Sequence, residues 1–377
     1  MTSRAPDPAR RALLLSGAAA LAGVLAGACT AVPGLRLGLL AGLAGRGAGL
    51  GESGRNGALL AVEARNAAGG VGGQPVTLQV EDDGQNPDQA RSALQRLVDA
   101  GVDAVIGPFT SAMAQAVLPL AEQTGLLLLS PTVTSMALVG RDDMLLRINR
   151  TTRDNAGDYA QRLIAAGHRR AAVAHDDGNR SFARSWLEEF RSAFVAAGGA
   201  VVEALPFEPG GSAATAAVVD RLQASGPDVG VLIANAVDAA RLAQLWRQRA
   251  PTLPFAVAEW AATDTLIELG GRAVEGALVL QPLDRDSRAP AYLAFVADYR
   301  QRFGDEPSYG AVAAHDAATV LMAAAGQRAA GQSMKAAVLA HGPYAGLQQA
   351  VRFDAQGDGT RHVVFTEIRD GRFRPLP

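Results

Sequence analysis

The chain has 377 residues, 49% hydrophobic and 19% charged, with a formal net charge of −2. That is long and apolar enough for one large domain or two medium ones, and it excludes a disordered chain. No long basic run occurs and Lys335 is the one lysine, so nucleic acid is not an expected partner.

The chain opens on Arg4, Arg10 and Arg11, then runs without a charge from Ala12 to Ala28 and meets Cys29 after Ala26-Gly27-Ala28. A basic start, an apolar stretch and small residues at the end are the layout of a secretory signal, expected over 1–28 with a linker at 29–35. The apolar stretch is at the short end for a membrane span, which needs roughly 20 apolar residues. Two cuts fit. One lies before Cys29, whose thiol is then lipidated and tethers the exported chain to a membrane. The other is an ordinary cut at Ala26-x-Ala28. The single cysteine at this place favours the first, although Ala26 stands where a lipidation motif usually has Leu, Val or Ile. An uncleaved anchor is a third possibility, and Arg10-Arg11 resembles a twin-arginine export signal. One cysteine also means no intrachain disulfide.

Strand and helix patterns then alternate. Leu35–Leu40 reads as a buried strand and Asn56–Ala68 as a helix stopped by Gly69-Gly70. Val76–Val80 is a strand, Asp88–Ala100 a helix, Val102–Gly107 a strand, Ala112–Thr124 a helix and Leu126–Leu129 an apolar strand. The pattern restarts with helix Asn155–Ala166, strand Arg170–His175, helix Phe182–Ala197, strand Val201–Leu205, helix Thr215–Ala224, strand Val229–Ala234, helix Ala239–Gln248 and strand Phe255–Ala258. Ala291–Phe303 and Val312–Ala325 are later helices. Such units form parallel sheets covered on both faces, so two doubly wound α/β lobes are expected. Ligands of these sheets sit beyond the carboxyl ends of the strands, and two lobes make a shared cleft.

Several stretches, taken in order, resemble the branched-chain amino-acid (Leu/Ile/Val) binding protein family, the type I periplasmic receptors of ABC importers. They are Ala58–Gly73, Asp82-Asp83 with Asn86-Pro87, Val102–Gly107 with Ser111, Leu129–Thr134, Glu275-Gly276 and Phe353-Asp354. The resemblance implies lobe 1 over 36–152 and 283–350, lobe 2 over 153–282 and 351–377, and a hinged cleft between them. It implies a monomer that delivers one amino acid or related small carboxylate to an ABC permease in the membrane.

Positions matching the family's carboxylate contacts are Ser111, the Thr132 backbone and Thr134. Independently, Ser111 stands between a strand and a helix, where a side chain caps the helix and free N–H groups attract anions. The ammonium-binding glutamate matches Glu259 at a strand end, where a carboxylate closing into a cleft needs a partner. Asp154 matches a hinge-side aspartate and equally fits a helix cap. Phe109 and Trp260 are expected to line the pocket. The family's covering tyrosines fall at Leu50, Arg180, Asn235 or Ala236, and Gly310, with Tyr309 one place early; its small disulfide is absent, with Thr110 at the second position. Arg180 either pairs a second acid group on the ligand or is a solvated loop arginine.

No catalytic residue, metal ligand or cofactor is expected. The histidines at 168, 175, 315, 341 and 362 lack metal-ligand spacing, and there is no GxSxG, HExxH or Walker loop. Gly49-Leu-Gly-Glu-Ser-Gly54 spells GxGxxG but starts several residues after the strand it should follow, so an exported NAD-dependent oxidoreductase is a secondary reading. A ligand sensor on the same fold is the other alternative.

Overall fold

The computed structural model describes residues 34–376 apart from Arg46 and 209–211. The expected signal segment and Cys29 lie outside the described residues.

The first sheet holds β1 (Arg36–Ala41), β2 (Thr77–Asp82), β3 (Ala104–Ile106), β4 (Leu127–Ser130) and β5 (Leu145–Arg147), in the order β2-β1-β3-β4-β5 and all parallel. Leu37, Leu39, Val105, Ile106, Leu128 and Leu129 are fully shielded, because helices cover both faces. The second sheet holds β6 (Arg170–Asp176), β7 (Ala200–Phe207), β8 (Val229–Ile233), β9 (Phe255–Val257), β10 (Leu278–Gln281), β11 (Val364–Arg369) and β12 (Arg372–Pro375). Its order is β12-β11-β10-β9-β8-β6-β7. The five strands β6 to β10 repeat the winding of the first sheet, and β11 and β12 extend it antiparallel. Each sheet therefore reverses its winding once, between β1 and β3 and between β6 and β8. A crevice opens at such a reversal, outside the carboxyl ends of the strands.

The first helix differs from expectation. It spans Ala48–Ala67 and so begins eight residues before Asn56. Gly49, Gly51, Gly54 and Gly57 weaken its helical signal, since glycine is a poor helix former. Packing explains three of them: a Cβ on Gly51 would collide with the Gly42 carbonyl, on Gly54 with the Phe109 ring, and on Gly57 with the Ala311 carbonyl. The GxGxxG glycines are thus inside a helix, not in the strand-to-helix turn that cradles a dinucleotide.

Helix Ser111–Thr124 starts one residue early, with Thr110 rather than Ser111 at the N-cap position. Helix Thr152–Ala165 also starts early, capped by Thr151, whose side chain accepts the Asp154 N–H at 3.2 Å. Asp154 is therefore not the cap but sits a turn inside, accepting the Thr151 hydroxyl at 2.7 Å.

Residues 351–359 stay beside the first sheet rather than crossing at once to the second lobe. Val351 pairs with Tyr344, Phe353 with Gly359, and the Arg147 N–H bonds the Gly357 carbonyl at 3.0 Å. The cause is Arg147 itself, whose buried guanidinium on β5 needs an anion and pairs with Asp358. The chain joins the second sheet only at β11.

The lobes touch across the cleft. The Ala112 N–H donates to Asn179 Oδ1 at 3.1 Å, the Ser135 hydroxyl to the Ser181 carbonyl at 2.8 Å, and the Met136 N–H to Ser185 Oγ at 3.0 Å.

Candidate functional site

The loops that leave the carboxyl ends of the strands converge on one narrow cavity. Ser111, Thr132, Thr134 and Phe109 reach it from the first sheet, and Glu259 and Trp260 from the second. The structure thus brings six of the eight residues singled out in the sequence to one place.

The first-sheet wall carries hydrogen-bond donors. Ser111 is the first residue of its helix and is 2% exposed. The Thr110 side chain makes no capping bond; Asn179 Oδ1 meets the Ala112 N–H of this helix start, and the Ser111 hydroxyl stands beside it. Thr132 is fixed by its own hydroxyl, which donates to the Phe109 carbonyl at 2.6 Å. Thr134 Oγ1 accepts the Thr152 hydroxyl at 2.9 Å, which leaves the Thr134 proton available to the cavity. Hydroxyls and helix N–H groups together suit a carboxylate.

The second-sheet wall carries acceptors. Glu259 follows β9 and is 4% exposed. Its Oε1 accepts from Asn155 Nδ2 at 2.8 Å and its Oε2 from Trp186 Nε1 at 3.0 Å. Burial pushes the Glu259 pKa up, and its own backbone N–H, these two bonds and the charge of Arg150 counter part of the rise. Among the described residues no cation pairs with it. The amide oxygens of Asn149, which lines the cavity, and of Asn155 are buried without partners. A buried carboxylate beside orphaned oxygens is a place for a cation with several N–H groups.

Rings close the space between the walls. Phe182 meets Trp260 edge-on at 5.6 Å, and Tyr309 lines the cavity while donating its hydroxyl to the Trp260 carbonyl at 3.3 Å. Tyr309, one place from an expected covering position, supplies a ring that Gly310 lacks.

Two expected residues are elsewhere. Asp154 lines a separate groove with Arg150 and Arg352. Arg180 forks onto Asp177, its Nε 2.8 Å from Oδ1, and its side chain is 55% exposed. The neighbouring carboxylate three residues back holds it at the surface.

Sequence reasoning missed Asn155, Trp186, Phe182, Asn149 and Asn179. Phe182 and Trp186 are four residues apart and so share a helix face, which was a readable sign that they act together. Nothing local pointed to Asn155. No cluster of three or more metal-ligating side chains occurs among the described residues.

A family model described as periplasmic binding protein matches residues 34–372. The Leu/Ile/Val-binding protein BraC3 of Rhizobium johnstonii is 31% identical over 168 residues, which are 44% of this chain and 45% of that protein. The matched stretch thus takes in less than half of that relative. The leucine binding protein LivK of Thermotoga maritima superposes with a TM-score of 0.83 at 22% identity, covering 91% of this chain and 98% of that one. A solute binding protein of an ABC transporter from R. palustris, solved with benzoate, superposes with a TM-score of 0.82 at 20% identity, covering 91% and 96%. At these identities the two structures show the fold, two lobes each built on a doubly wound sheet. With its family match running through both sheets, the chain belongs to the periplasmic binding protein family.

Proposed function

We propose that this chain is the receptor of an ABC importer, which binds one α-amino acid in the cleft and hands it to a membrane permease. The ligand carboxylate lies on Ser111, Thr134 and the start of helix Ser111–Thr124. Its ammonium lies on Glu259. The observation that carries this reading is the Glu259 carboxylate, buried, held by two neutral donors and in no ion pair among the described residues. A simple aromatic acid such as benzoate has nothing to offer it.

Binding without chemistry fits the same cavity. Its titratable side chains are Glu259 and Tyr309, and burial raises both pKa values. Among the described residues that line the cavity, no histidine or lysine stands by Ser111 to activate it. The basic, apolar and small-residue layout of the first 28 residues supports an exported chain, tethered through Cys29 after cleavage.

A thermal-shift screen of the mature chain against the common amino acids and benzoate tests this. At 100 times its dissociation constant a true ligand adds about 2.7 kcal/mol of stability. An amino acid should do so and its deaminated counterpart should not. Equal stabilisation by benzoate or by a deaminated acid would sink the assignment of Glu259 to an ammonium.

A further inference from the structure

The two walls of the cleft are joined by hydrogen bonds that lie outside the cavity. They converge on one element, helix Arg180–Ala196, which follows β6. The Ser181 carbonyl accepts the Ser135 hydroxyl at 2.8 Å, and the Ser181 hydroxyl donates to Ser135 Oγ at 3.2 Å. One turn further, Ser185 Oγ accepts the Met136 N–H at 3.0 Å. Helix residues four apart share a face, so Ser181 and Ser185 together meet the loop after β4. Ser135 is fully buried and Ser185 nearly so. None of Ser135, Met136, Ser181 and Ser185 lines the cavity.

These bonds are interleaved with residues that do line it. On the first-sheet side Thr132 and Thr134 come just before Ser135. On the second-sheet side Phe182 lies between Ser181 and Ser185 and lines the cavity, and Trp186, next to Ser185, donates to Glu259. The bonds therefore form only when the lining residues of both walls are in their closed positions. Hydrogen bonds weaken steeply beyond their normal length, so parting the walls by about 1 Å breaks them.

From this we propose that Ser135, Ser181 and Ser185 are positioning residues, a latch that sets how long a ligand stays bound without touching it. The proposal rests on the receptor reading of the cleft, not on the identity of the ligand. A ligand leaves when the walls part, and the latch must break in that step. It therefore slows the release of every ligand by one factor, whereas contacts with Glu259 or Ser111 depend on the ligand's own groups.

Stopped-flow fluorescence, with Trp186 and Trp260 as reporters, tests this on the mature chain with leucine, alanine, glutamine, glutamate and benzoate as probes. In Ser185→Ala the dissociation rate of each probe that binds should rise about fivefold, the worth of one neutral hydrogen bond. The association rate and the order of affinities should not change. Ser135→Ala should act alike. Ser181→Ala keeps the carbonyl acceptor, loses only the longer bond and should act less. A variant that merely folds poorly would lower the fraction of chain able to bind and leave the dissociation rate as it is. Unchanged dissociation in Ser135→Ala and Ser185→Ala overturns the latch, and so does a rise confined to some of the probes that bind, because the serines would then act on the ligand itself. Binding of none of the five fails differently: it removes the receptor reading, and this proposal with it.

Discussion

The two walls of the cleft are built in opposite ways. The first-sheet wall presents donors that the fold leaves open: the Ser111 hydroxyl, the Thr134 proton and a helix start of which Asn179 meets the Ala112 N–H. The second-sheet wall presents one carboxylate that the fold holds tightly, with Asn155 and Trp186 on its two oxygens. Neutral donors at a helix start cost little to leave facing a wet cleft. A carboxylate buried without a cation costs much more. The second wall should therefore dominate both affinity and its pH dependence.

The sharpest way to break that comparison is Glu259→Gln. The substitution keeps the shape and removes the charge. Affinity for the amino acid should fall by about 2–5 kcal/mol, as for other buried charge pairs cut on one side. A loss no larger than that of Ser111→Ala, both read by titration calorimetry, would refute the asymmetry. The pH dependence follows from the raised Glu259 pKa. In the ligand-free fold its contribution to stability is complete below the unfolded glutamate value and is lost as pH rises through the higher folded value. Ligand affinity runs the other way, because the ammonium needs the ionised carboxylate. Melting temperature followed across this window, with and without ligand, should show the two curves separating as pH rises. In Glu259→Gln the separation should not depend on pH over that range.

The same asymmetry decided what could be read from the sequence. Buried parallel strands are apolar runs, so Leu35–Leu40, Val102–Gly107, Leu126–Leu129 and Val229–Ala234 were legible, and with them the two wound sheets. Residues just after buried strands inherit a position from them, and the family resemblance then singled out Ser111, Thr134 and Glu259 at a common cleft. The three-residue strand Leu145–Arg147 is too short to carry a pattern. The early start at Ala48 was hidden because its glycines answer to Gly42, Phe109 and Ala311, contacts that exist only in the folded chain. The partners of Glu259 were hidden for the same reason: Asn155 is 104 residues away and Trp186 is 73. Arg180 misled because a position can be inherited from a resemblance while the side chain follows its nearest carboxylate, Asp177.

Those hidden partners give a second test. Asn155→Leu removes the donor to Glu259 Oε1 and keeps the branched shape of the side chain. The carboxylate loses a bond that favours its charged form, so its pKa rises further. Affinity at neutral pH should drop by about 1–2 kcal/mol, and the pH at which binding is half-maximal should move up. A drop in affinity with no movement of that midpoint would mean that Asn155 supports the wall by packing alone.

The smallest effect belongs to the open wall. Ser111 is the first residue of its helix, not the cap, so Ser111→Ala leaves the helix intact and removes one hydroxyl donor. The helix N–H groups and Thr134 remain to hold the carboxylate. The expected loss is about 1 kcal/mol, near fivefold in dissociation constant and without a shift in pH midpoint. Calorimetry at two pH values on either side of the Glu259 window measures both quantities. If Ser111→Ala instead cost more than Asn155→Leu, the carboxylate end would be the anchor and the donors would be held as tightly as the acceptors.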